Sequence, residues 1–135
     1  MDLPSSCNSS ICERQIQSPH RGICPDGWHI PSQADWGVMT EGKKLKAASG
    51  WNNRSDGTSG NGTDDYGFSA LPGGDGGGSS FYSVGNRGLW WSASEDGGPG
   101  GSLIAKDRDM RYDHDDADLN YKSKTNLFSV RCLQD

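Results

Sequence analysis

The sequence predicts one α+β domain with few short helices, short twisted antiparallel strands and long loops. Three observations lead there. Hydrophobic residues are 31% of the 135 and Gly supplies 20, so the core is small and much of the chain is loop. Five Trp compensate, since one buried Trp removes roughly 200 Å² from water. Apolar alternation comes in brief stretches cut by Gly-rich breaks.

Residues 1–22 are polar and aperiodic and read as an irregular leader, which leaves 23–135 as the domain. Pro25-Asp26-Gly27 is a turn, because Pro presets φ and Gly permits positive φ. Trp28 and Ile30 then alternate with His29, as suits a short strand with one buried face. Ser32 is a helix N-cap and Asp35 completes a variant capping box. Trp36 and Met39 share the inner face of that helix. A second helical stretch from Gly42 to Ala48 buries Leu45 and exposes lysines; Gly50 ends it and Trp51 returns to the core.

Asn52 to Asp65 is loop, and Phe68, Ala70 and Leu71 anchor the chain again. After the glycines at 73–78, Phe81 and Tyr82 lead to a strand from Gly88 to Ser94, which Gly97 to Gly101 break. In that strand one of Trp90 and Trp91 faces inward. Ser102 to Tyr112 reads as a strand, Asp113 to Asp118 as a polar turn, and Asn126 to Leu133 as a last strand.

The net charge of −5 and the lack of clustered Lys and Arg argue against nucleic acid. No apolar run of about 18 residues exists to insert into a membrane. Met1-Asp2-Leu3-Pro4 lacks the charged start and apolar stretch of an export signal, so export implies a targeting segment removed separately. Cys7, Cys12, Cys24 and Cys132 are even in number within a loop-rich chain, which favours disulfides over zinc or free thiols. The reading pairs Cys7 with Cys12 in a local loop and Cys24 with Cys132 across the ends.

Several blocks, in order, resemble the Fibrobacter succinogenes major paralogous domain family. They are Gly22-Ile23-Cys24-Pro25-Asp26-Gly27-Trp28-His29-Ile30-Pro31-Ser32, Lys44-Leu45-Lys46 with Ser49-Gly50-Trp51, Gly60 to Gly74, Trp90-Trp91-Ser92 and Phe128-Ser129-Val130-Arg131-Cys132. The resemblance implies a C-type-lectin-like fold on an exported bacterial or phage-encoded protein. It is also similar to the variable proteins of diversity-generating retroelements, whose diversified stretch corresponds here to Ser94–Asn126. Two departures stand out: the stretch between Trp36 and Lys43 is short for the family, and Leu127 replaces a usual Gly.

On that reading the chain is a display domain. It recognises a protein or cell-surface ligand through Asp107, Asp109, Arg111, Tyr112, Asp113, His114, Asp116, Asp118, Asn120 and Lys122, with Tyr112 or Tyr121 as aromatic anchor. Side chains of this kind suit an exchangeable surface on a rigid frame. Adenine mutagenesis of Asn codons yields Asp and His, as at Asp107, Asp109, Asp113, His114, Asp116 and Asp118, but not Lys106, Met110 or Lys122. The plainer alternatives are a solvated acidic turn, or a structural surface or fibre module without a ligand. No cofactor is expected. Structural calcium is an alternative at the acidic turn or at Asn61–Asp65, although the turn lacks EF-hand spacing. Asp64 fits better as a cap on local amides. No enzyme is expected: the cysteines are better used in bridges than beside His29 or His114, and no apolar carboxylate pair is evident. His29 reads as a hydrogen-bonded, half-buried residue.

Overall fold

A computed structural model describes residues 18–95 and 103–135, and every regular element in them is short. The expected Cys7–Cys12 bridge, most of the leader and the Gly97–Gly101 break lie outside the described residues.

Helix α1 spans Gln33–Gly37. Ser32 starts it with the expected capping box: its side chain accepts from the Asp35 N–H, and the Asp35 carboxylate accepts from the Ser32 N–H at 2.8 Å. Trp36 is the buried residue of this helix, with Met39 against the same core. Helix α2 covers only Gly42–Leu45, not the expected stretch to Ala48. It stops because Lys46 turns extended and bridges Ala70 in parallel. Lys46 also departs from the expectation of exposed lysines. It is fully buried, with its ammonium donating to the carbonyls of Arg111 at 3.0 Å and His114 at 2.9 Å, over the Trp51 ring. Gly42 is required where it stands, because a Cβ there would collide with the Asp116 carbonyl.

The strands are β1 Trp28–His29, β2 Asp75–Gly77, β3 Ser80–Tyr82, β4 Arg87–Glu95, β5 Ile104–Arg111, β6 Ala117–Ser123 and β7 Leu133–Gln134. All ladders are antiparallel: β1 with β7, β2 with β3, and a three-stranded sheet in the order β4-β5-β6. Ser129 extends the last sheet, bonding Leu89 and Trp91 of β4 through a parallel bridge to Trp90. The expected strand from Asn126 to Leu133 is therefore a set of single bridges followed by β7. The expected turn at 113–118 is cut short, because Ala117 already begins β6. In β1 Trp28 is 39% exposed, while His29 is half-buried and hydrogen-bonded to Asp135, as expected of it.

The core is Trp36, Leu45, Trp51, Phe68, Ala70, Trp90, Met110 and Ala117. Phe68 stands edge-on to both Trp36 and Trp90, with centroids 5.9 and 6.4 Å apart, the arrangement that ring quadrupoles favour. Leu71, expected inside, is exposed. Cys24 and Cys132 form the expected disulfide, 108 residues apart in sequence, beside the β1–β7 ladder.

Candidate functional site

The register of β4-β5-β6 decides what the carboxyl-terminal third can display. Directly opposed residues share a face and successive residues alternate. Trp90, Arg108 and Leu119 oppose one another, as do Gly88, Met110 and Ala117, and this face meets the core. Trp91, Asp107 and Asn120 lie on the other face, with Leu89, Asp109 and Asp118 one step along.

Strand β5 is central, and both of its faces are covered. Asp107 is 0% exposed, Arg108 3% and Asp109 2%. This corrects the expectation that Asp107 and Asp109 are displayed: a strand between two others, with packing on each side, offers no open face. Asp109 is held by an ion pair with Arg87, whose Nε donates at 3.3 Å, and by the Asn120 amide at 3.4 Å. The same pairing raises the Arg87 pKa. Asp107 has no donor on either carboxylate oxygen among the described residues. Burial, and then the neighbouring Asp109, push its pKa up to about 6, against the pull of Lys122, Arg87 and Arg108. Arg108 donates from one amino group to the Ala117 carbonyl at 2.8 Å and from the other to that of Trp36 at 2.7 Å.

The remaining expected residues lie on the turn after β5 and on β6. Tyr112 packs against the core and so is not the free anchor. Arg111 and Asp113 are ion-paired at 3.3 Å, and Asp113 also meets the His114 ring at 2.9 Å, the contact that chiefly lowers its pKa. His114, Asp116 and Asp118 are exposed; Asn120 and Lys122 are half-buried. Tyr121 is 50% exposed, with the Lys106 ammonium 5.9 Å from its ring. Asp115 pairs with Arg54, and its carbonyl accepts from the Lys43 N–H at 2.7 Å.

Sequence reasoning missed Arg87, Arg54 and the stack of Trp91 on Phe128, whose centroids are 4.3 Å apart. Alternation in Arg87-Gly88-Leu89-Trp90-Trp91 was the available signal for Arg87 and Trp91; nothing local marks Arg54. Asp64 serves the expected local role, accepting from the Ser69 N–H at 2.6 Å. Its carboxyl pKa is lowered by the Ser69 hydroxyl and then by that amide. Among the described residues, no three His, Cys, Asp or Glu side chains converge as a metal set does. A separate cavity of about 470 Å³ is lined by His20, His29, Ser32, Asp35 and Ser94. There the His29 ring is held between Asp135 at 2.7 Å and Asp35 at 3.5 Å.

These features define a disulfide-closed α+β domain whose long hairpin is buried along β5 and exposed at its turn and outer strand. The family model described as Fibrobacter succinogenes major domain matches residues 10–134, and the chain belongs to that bacterial family. No curated protein and no solved structure is significantly similar to it.

Proposed function

We propose that this chain is a non-catalytic recognition domain of C-type-lectin-like fold, carried outside the cell on a bacterial surface or a phage particle. In this reading it acts like the variable proteins of diversity-generating retroelements and binds a protein or cell-surface ligand. The recognising surface is the rim of the β5–β6 hairpin: His114, Asp116, Asp118 and Tyr121, flanked by Asn120 and Lys122. One observation carries the reading. Within a single strand pair, Asp107, Arg108, Asp109 and Met110 are buried while His114, Asp115 and Asp116 of the turn and Asp118, Leu119 and Tyr121 of β6 are exposed. Side chains with no packing duty are exchangeable, and a rigid base keeps their geometry. Tyr121 is the aromatic anchor, the kind of residue that dominates interface energy. The acidic turn favours a basic or amine-bearing partner. Closure of both ends by β1–β7 and Cys24–Cys132 suits the proposed fold.

The test compares the coding stretch for residues 94–135 with any near-identical copy close to a reverse-transcriptase gene. The expected differences fall at adenines, in codons of the exposed rim, and spare the glycines and tryptophans of the frame. Absence of such a copy, or differences spread evenly over frame and rim, overturns the reading. The second reading is a structural surface or fibre module without a dedicated ligand. It is favoured by Asp113 and Asp115, which already spend their charge on Arg111 and Arg54.

A further inference from the structure

Strand β6 is the outer strand of its sheet. Its Ala117 N–H points outward, to the Thr40 carbonyl at 2.8 Å. Alternation along an antiparallel strand then turns the N–H and C=O of Leu119 and Tyr121 outward as well. Among the described residues no backbone group outside the β5–β6 ladder bonds either of them. Among the described residues the stretch Asp118–Lys122 is therefore an open edge, bounded by Thr40 at one end and the turn after Ser123 at the other. It contains neither Pro nor Gly to blunt it, and Leu119 and Tyr121 are 36% and 50% exposed. Free edges of this kind are templates for another strand.

The sequence of the edge selects the partner. We propose that a second copy of this chain adds to it, β6 against β6, antiparallel about a twofold axis through Asn120. In that register Asp118 faces the partner's Lys122, and Lys122 faces the partner's Asp118. Leu119 faces the partner's Tyr121 and exchanges both backbone hydrogen bonds with it, and symmetry repeats the pair. Asn120 meets the partner's Asn120 on the axis. Among residues of β6 itself, this is the register in which opposite charges meet. A shift of two residues sets Asp118 or Lys122 against an Asn. Opposite charges and aromatic–aliphatic pairs are the cross-strand combinations that stabilise sheets, and a self-complementary patch is what a twofold dimer needs. The contact is narrow, so the dimer is transient. It sets two copies of the β6 face side by side in one continuous sheet.

Single-cysteine variants test the register without any ligand, so failure here leaves the recognition reading untouched. At the axis the two Asn120 Cα atoms are expected about 4.5 Å apart, within disulfide reach. Asn120→Cys is therefore expected to cross-link to itself on mild oxidation at high micromolar protein, above the background of the unaltered chain. Asp118→Cys and Lys122→Cys are each expected to stay uncoupled alone and to cross-link when mixed. Leu119→Pro removes an outward N–H and no bond to β5, and is expected to raise the dimer dissociation constant roughly tenfold or more in sedimentation equilibrium. A chain that sediments as a monomer throughout while Asn120→Cys stays uncoupled overturns the proposal. So does Asp118→Cys coupling alone as readily as in the mixture, or an unrelated extended peptide occupying the edge with no self-coupling.

Discussion

A carboxylate on a covered central strand, with no donor on either oxygen, is costly in its charged form. Asp107 is that group, and its pKa of about 6 lies above the ordinary value of 3.8. The folded state therefore binds its proton more tightly than the unfolded chain does. The stability linked to Asp107 is fully present below pH 3.8 and is lost as pH rises through about 6. Asp107→Asn is expected to be more stable than the native chain at pH 7.5, by on the order of 2–3 kcal/mol, with the difference shrinking toward pH 4. Urea unfolding of both chains at the two pH values measures this. Asp35 and Asp113, whose pKa values are lowered, act in the opposite sense and lose their contribution as pH falls through those lowered values. Arg87 supports the neighbouring buried charge. Arg87→Met leaves the buried Asp109 charge without its cation and is expected to cost about 2–4 kcal/mol, whereas Arg111→Met at the more open Asp113 pair costs under about 1 kcal/mol. Equal losses in chemical denaturation would contradict this account. None of these burials is written locally. Asp107, Asp109 and Lys46 look like surface residues in sequence, and only the central position of β5 and the docking of Lys46 under residues 111–114 make them interior.

At the scale of elements, the readable signals were those completed within a few residues. Ser32 with Asp35 announced α1, and Trp36 its inner face, because a capping box closes within one turn. Ser32→Ala is expected to cost about 1 kcal/mol in thermal or urea unfolding, and Ser32→Thr to restore most of it. Strand β6 escaped because its polar positions, Asp118, Asn120 and Lys122, extended the look of the acidic turn before it. The signal was there in the period of two, with Leu119 and Tyr121 between them. The final segment misled in the other direction. Phe128, Val130 and Cys132 alternate like a strand, but the segment is spent on separate bridges to Gly76, Trp90 and β1. Pairing partners so distant in sequence leave no mark on local periodicity.

For the molecule as a whole, the ring cluster and the bridge between the ends divide the work of holding so short a set of elements. The disulfide closes a loop of 108 residues, and loop-closure entropy gives it about 4–5 kcal/mol of stabilisation. The double variant Cys24→Ser/Cys132→Ser is expected to lose about that amount in denaturant titrations, and a reductant is expected to lower the native chain to the same level. A variant as stable as the oxidised protein would show that the aromatic core suffices. The pairing was foreseeable from cysteine number and from the ends of the chain. The exposed part of the candidate site was foreseeable from its polarity, while the division of the hairpin into inner and outer strands was not.

The ladder that sets Trp28 opposite Gln134, with Cys24 and Cys132 bonded beside it, also determines how the domain responds to tension. Traction on the segments flanking residues 24 and 132 runs through their pairing with residues 27–30 and through one covalent link, and bypasses the chain between residues 31 and 131. The tryptophan cluster and the β5–β6 hairpin stay slack under such a load. In a shear flow or on a moving filament, the module would hang from a single tether point with its outer strand undistorted.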